Sequence, residues 1–259
     1  MYLRAVHAET HIPTLRQLIR DFPLGILTTA FSSTAGPSIQ SSHIPFLLDV
    51  QDESSETELG RLRGHLARAN PQSKALIEAV SKNQGNGTTP SNILTEEVLV
   101  LFTSPVQHYV TPKFYTETKP ATGKVVPTWN YAAVQAYGRA RIYFDARSEE
   151  TSAFLSRQIS DLSEHAETSI MGYTGPEDSR PAPWSVKDSP ERYVELLRKA
   201  IIGVEIEITR LEGKFKMSQE LGAGDREGVV AGFQGLGTEV AQEVAKLVEQ
   251  RAELKGKTS

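Results

Sequence analysis

The chain has 259 residues, 39% hydrophobic and 23% charged, enough to bury one good core in a soluble globular fold. A formal net charge of -4 without any Lys/Arg cluster argues against broad phosphate-backbone binding, and direct DNA contact is not expected. With no cysteine, disulfides, thiolate nucleophiles, iron-sulfur clusters and thiolate-bound haem are excluded, which leaves six histidines and the carboxylates as candidate metal ligands.

A helix is predicted over residues 10–22, where Leu15, Leu18, Ile19 and Phe22 recur at helical spacing and Thr10 can cap. Pro23 ends it. Residues 24–31 and 38–48 read as extended, joined by the turn chemistry of 32–37, and so predict a hairpin. A polar loop follows at 49–58, then a strand over 59–66 that feeds a helix opening at Asn70-Pro71 and running to about Val80. Residues 81–92, rich in Gly, Asn, Thr and Ser, read as a mobile surface loop without function. A buried strand is expected at 98–103, and the polar, Pro- and Tyr-containing stretch 104–124 has the character of a segment that covers a site. Alternation from Val134 to Phe144 marks another strand, 148–165 a helix, and 172–189 an irregular connection. Ser189-Pro190-Glu191 starts a helix to about Ala200, and the period-two run from Gly203 carries a half-buried strand to Lys216. From about Gly237 the tail is helical, with Val240, Val244, Leu247 and Val248 as its apolar stripe. No apolar run is long enough to span a bilayer, and Met1-Tyr2-Leu3-Arg4 opens no secretory segment, so a cytoplasmic location is expected.

Chemistry concentrates in a few short runs. On the strand before Asn70, period-two geometry sets Arg61, Arg63 and His65 on one face. Guanidinium groups can clamp phosphate or propionate oxygens there, while the imidazole either ligates iron or satisfies a backbone carbonyl. Gly64 permits close approach of a flat ligand. His43 is a second histidine in extended chain. Thr128-Trp129-Asn130-Tyr131 supplies a hydroxyl, an indole, an amide and a phenol, suited to gripping a ring by edge and face or to filling a core. Lys216 and Ser218 are expected to share a strand face where an anionic group can sit. His108, Tyr109 and Tyr115 lie in the covering segment.

Met1-Tyr2, Ser42-His43-Ile44-Pro45-Phe46, Gly64-His65-Leu66-Ala67-Arg68-Ala69-Asn70-Pro71, Val126-Pro127-Thr128-Trp129-Asn130-Tyr131, Ile202-Gly203-Val204 and Lys216-Met217-Ser218-Gln219 together resemble the PaiB-like family, in its order and over nearly the whole chain. The resemblance implies an α+β, flavin-reductase-like split β-barrel with peripheral helices, here over residues 1–215, and a C-terminal helical extension over 216–259 packed on it. It also implies a homodimer with the pocket at or near the subunit interface. Family members are described either as FMN-binding negative transcriptional regulators or as haem-dependent piperazate synthases that close a nitrogen–nitrogen bond in an N-hydroxylated ornithine. The haem reading is taken first: haem b on His65, with His65 and Tyr131 as catalytic groups. Its cofactor contacts would come from His43, Arg63, Arg68, Thr128, Trp129, Asn130, Lys216, Ser218 and Gln219, and its substrate would be a small molecule. FMN is the alternative cofactor, and a catalytically silent dimer stays open as a third reading. One departure stands out: where the family usually reads Ser-Gln-Asn-Arg, this chain has Ser218-Gln219-Glu220-Leu221, which removes a basic contact.

Overall fold

A computed structural model describes residues 1–83, 92–176 and 179–257. Most of the surface loop expected at 81–92 lies outside these residues. Among them the chain forms nine strands and seven helices, an α+β arrangement with an open sheet, and it divides into two units. No helix among the described residues is long and apolar enough to cross a membrane.

The first unit to take shape from the sequence comprises residues 19–101 and 136–210. It holds β2 (Leu24–Ala30), β3 (Ile39–Pro45), β4 (Leu47–Asp49), β5 (Arg61–Ala67) and the greater parts of β6 (Ile93–Thr103), β8 (Thr128–Tyr143) and β9 (Ile201–Lys216). The strands run in the order β3-β2-β6-β8-β9-β5-β4. β2 and β3 form the expected hairpin, antiparallel from Leu24↔Pro45 to Ala30↔Ile39. β5 pairs antiparallel with β9 from Arg61↔Glu207 to Ala67↔Ile201. The sheet curls so that β3 and β5, on opposite sides of this order, meet through side chains: Gly64 lies against Ile44 and Phe46, so tightly that a Cβ there would sit 2.9 Å from Ile44. Apolar packing therefore bridges the gap in the barrel where no ladder is formed, and this is the split barrel expected from the motifs.

Two helices brace this barrel. In α2 (Pro71–Asn83) the Asn70 side chain accepts from the Gln72 N–H at 2.9 Å, as its position before Pro71 dictates. In α4 (Glu149–His165) Ser148 caps the Thr151 N–H, and Glu149 and Glu150 meet the positive end of the helix. The α4 residue Phe154 stacks on Tyr143 with centroids 3.9 Å apart, and its ring takes the space that a side chain on Gly203 would need. α5 (Glu191–Lys199) completes the unit.

The second unit comprises residues 1–18, 102–135 and 211–259. β1 (Ala8–Glu9) pairs with the end of β9, and β7 (His108–Val110) with the start of β8, which begins at Thr128 and so absorbs the whole Thr128–Tyr131 run into a strand. The covering segment thus contains regular structure: β7, a single turn at Pro112–Phe114 and the short α3 (Thr118–Thr122). Two helices close the unit, α6 (Ala223–Gln234) and α7 (Glu239–Lys257). α6 was not expected, because Gly224, Gly228 and Gly232 lower its helix propensity. Their spacing of four has a packing cause instead. They put a bare stripe of backbone against the 112–117 segment, where a Cβ on Gly228 would lie 2.1 Å from the Phe114 carbonyl oxygen. Phe233 then packs edge-on against both Phe114 and His108.

Candidate functional site

The candidate residues fall into two groups, one in each unit. In the barrel unit, β5 does place Arg61, Arg63 and His65 on one face, and that face is covered by α4. Arg63 is buried there and its donors are engaged: Nε and Nη2 fork onto Asp49, Nη2 also reaches Asp161 at 2.9 Å, and Nη1 donates to Gln158 Oε1 at 3.2 Å. Burial by itself would lower the Arg63 pKa; the two carboxylates outweigh it and hold the guanidinium charged. Arg68 is likewise turned inward, donating to the carbonyls of Phe144 at 2.6 Å and Lys199 at 3.2 Å. It also lines a cavity of about 490 Å³ with Asn92, Phe144 and Arg147. His43 stands exposed on β3, in register with Ile26.

His65 differs from its neighbours. It pairs in register with Gly203, and its Nδ1 is buried with no hydrogen-bond partner among the described residues. Burial pushes the imidazole pKa down, so the ring is neutral at physiological pH and keeps a lone pair free for a ligand or a donor. This has a testable consequence. Because the unfolded chain binds the proton more tightly, the contribution is at its full value above the unfolded pKa of ~6.5 and is lost as pH falls below it. Urea midpoints at pH 7 and pH 5 should therefore fall further for the wild type than for His65→Gln; equal losses would show that the buried ring is not the source.

In the other unit, the ends of two strands converge. Lys216, at the end of β9, donates from Nζ to Thr128 Oγ1 and to the Trp129 carbonyl at 3.2 Å, and stands 3.5 Å from Glu220 Oε1. Trp129 is half-exposed, meets Tyr109 edge-on with centroids 6.3 Å apart, and donates from Nε1 to Gln107 Oε1 at 3.1 Å. The Lys214 ammonium lies 5.6 Å from the Tyr131 ring centre. Together these present aromatic faces beside an ammonium and a hydroxyl, a combination able to stack a ring and bind an anion.

The remaining members of the motifs do structural work at this position. Asn130 and Ser218 are fully buried and satisfy each other, with Asn130 Nδ2 donating to Ser218 Oγ at 3.0 Å and Ser218 Oγ donating back to Asn130 Oδ1 at 3.2 Å. Ser218 does not share a strand face with Lys216: β9 ends at Lys216, and Ser218 adopts a left-handed backbone with φ of 60°. Gln219 stabilises that turn by accepting from the Met217 N–H at 2.6 Å and donating to the Phe215 carbonyl.

His7 and Glu220 belong to this group and were not foreseen. His7, buried, donates from Nε2 to Glu220 Oε2 at 3.0 Å, so Glu220 bridges the imidazole and Lys216. Burial would raise the Glu220 pKa, but the His7 hydrogen bond and the Lys216 charge override it and keep the carboxylate ionised. The departure thus introduces an anion at position 220, where the family pattern has an amide, and puts Leu221 where that pattern has a base.

Comparison with known proteins gives this geometry its relatives. The family described as "Putative FMN-binding domain" matches residues 1–210, which takes in both the His65 and the Trp129 runs and leaves Lys216, α6 and α7 beyond the match. The chain is 62% identical to an uncharacterized protein of Aspergillus fumigatus over 99% of its own length and all of the relative's. It is 24% identical to the "Protease synthase and sporulation protein PAI 2" of Bacillus subtilis, over 97% and 98% of the two chains. Among solved structures, one titled as the FAD and heme binding protein from Mycobacterium smegmatis matches at TM-score 0.45 and 14% identity, covering 87% of this chain and 80% of that one. The barrel, the two motif runs it carries and the extent of these matches place the chain in the PaiB-like family of FMN-binding-type split-barrel proteins.

Proposed function

We propose that this protein binds flavin mononucleotide, with the Trp129–Tyr109 pair flanking the isoalloxazine and Lys216 with Thr128 taking the phosphate. The observation that supports this best is the Lys216 ammonium held against the Thr128 hydroxyl beside a half-exposed indole, since FMN needs both a stacking face and a cation. Glu220 at 3.5 Å makes the cation a shared one, so the phosphate would compete with this carboxylate for Lys216. Lys216→Ala should weaken FMN about tenfold or more, the value of one charge-assisted hydrogen bond. Titration by tryptophan fluorescence in a Trp184→Phe background measures it, and unchanged affinity in Lys216→Ala would remove the lysine from the site. The bound flavin would make the protein a ligand-dependent sensor of the regulator kind, and with a net charge of -4 its output would pass through a protein surface rather than through DNA.

A second reading rests on His65. A neutral imidazole whose Nδ1 is buried and unpartnered fits an axial ligand of haem b, which would supply Lewis-acid iron for a piperazate synthase-like nitrogen–nitrogen ring closure. The surrounding guanidinium groups fit it less well, because Arg63 is held by Asp49 and Asp161, and Arg68 by backbone carbonyls. The absorption spectrum of the purified protein separates the two readings. Bands near ~370 and ~450 nm mean flavin, and one strong band near ~400 nm that is lost in His65→Ala means haem.

A further inference from the structure

We infer that Glu220 is a specificity-determining residue: it offsets the Lys216 charge, so that the site selects a flavin by its ring and by a hydroxyl-bearing side chain and gains little from a terminal phosphate. This rests on the flavin reading above and concerns which flavin that same site takes. The carboxylate is fixed in place. Its Oε2 accepts from Nε2 of the buried His7 at 3.0 Å, while Oε1 stands 3.5 Å from Lys216 Nζ. The backbone that carries it is equally constrained. Ser218 is tied to Asn130, Gln219 to Met217 and Phe215, and the Leu221 N–H donates to the Ser218 carbonyl at 3.2 Å. Burial would raise the Glu220 pKa, but the His7 hydrogen bond and the Lys216 charge hold it below the usual carboxylate range, so the group is an anion at neutral pH.

Two consequences follow for the ligand. The first is charge. A phosphate monoester that reached the Lys216 ammonium would bring about 1.5 to 2 negative charges beside a carboxylate that cannot withdraw, and the repulsion offsets most of the attraction. The other cation on this strand end does not make up the difference: Lys214 donates to the Tyr2 carbonyl at 3.2 Å and lies over the Tyr131 ring. The second consequence concerns hydrogen bonding. A hydroxyl both donates and accepts, so it can give its proton to Glu220 and its lone pair to Lys216, whereas a dianionic phosphate has no proton for the carboxylate. The ammonium and carboxylate together therefore suit the polyol end of riboflavin. Stacking against Trp129 and Tyr109 depends on the ring alone, so it is common to both flavins and cancels when they are compared.

The test is titration of the full-length protein with FMN and, separately, with riboflavin, followed by flavin fluorescence. The wild type should bind riboflavin within about threefold of FMN, a measurement that needs no variant. Glu220→Gln keeps an acceptor for His7 but removes the charge, and should shift the ratio of the two affinities about tenfold toward FMN, the weight of one charged contact. Lys216→Ala should shift the same ratio the other way, toward riboflavin. A reduced folded fraction would scale both affinities equally, so the ratio reads the site and not the stability of the variant. A wild type that prefers FMN by about tenfold or more would overturn the inference, as would a ratio indifferent to Glu220→Gln while both flavins still bind. Failure of either flavin to bind any of the three proteins would instead remove the flavin reading, and this inference with it.

Discussion

Gly138→Ala is expected to cost about 3 kcal/mol of folding stability, near the upper end of what overpacking a core does. The glycine lies in β8 beside β9, and a Cβ built on it would stand 2.1 Å from the Glu207 carbonyl oxygen and 2.9 Å from Ile206 Cγ2. The closest obstacle is backbone, so no side chain can rotate aside; relief requires β8 and β9 to separate in the middle of the sheet that carries both. Gly36→Ala provides the comparison, because there a Cβ meets only the Gln40 side chain at 3.6 Å. Urea unfolding should move the Gly138→Ala midpoint well below the wild type while Gly36→Ala stays within about 0.5 kcal/mol. Indistinguishable midpoints for the two variants would show that the strands accommodate the methyl group after all.

Arg63→Met is expected to cost about 2 to 3 kcal/mol. The substitution retains an apolar stem of similar length but removes the guanidinium that Asp49 and Asp161 share, leaving Asp49 with Arg157 at 3.8 Å and Gln158 Oε1 without its Arg63 donor, beneath α4. Removing one member of a fully buried ion pair costs about 3 to 5 kcal/mol. The lower figure applies because the two carboxylates are 43% and 39% exposed and water can partly replace the lost charge. Arg63→Lys should recover only part of the loss, since an ammonium cannot fork onto Asp49 while also reaching Asp161 and Gln158. Chemical denaturation of the three proteins tests this, and full recovery by lysine would mean that charge alone matters at this position.

The fate of Arg63 shows how far the motif was legible. Period-two spacing correctly put it on one face with His65, because side-chain direction along a strand is set by local backbone geometry. What that face meets was not legible. Asp49 is 14 residues away and Asp161 98 residues away, and their carboxylates turn a candidate cofactor clamp into a brace between β4, β5 and α4. His65 escaped the same fate because its register partner is Gly203, which offers Phe154 a place to pack and gives Nδ1 nothing to bond. At Lys216-Met217-Ser218-Gln219, strand alternation stops with β9 at Lys216 and does not carry on to Ser218. The mutual hydrogen bonds of Asn130 and Ser218 hold Ser218 in a left-handed turn, and only the pairing of distant strands creates those bonds.

The same division runs through the helices. α2 and α4 announced themselves through Asn70-Pro71 and Ser148-Glu149-Glu150, since a cap satisfies orphan N–H groups within one turn. α6 was hidden by its glycines, although their fourfold spacing would have revealed a helix with one bare face. By itself the sequence determined the strands with alternating burial, the capped helices, the hairpin and the family, all of which rest on interactions spanning a few residues or on contiguous motifs. Only the tertiary structure decided which charges find partners: His7 meets Glu220 across 213 positions, and the anion this brings to Lys216 depends on strand register and long-range burial, which no local pattern encodes.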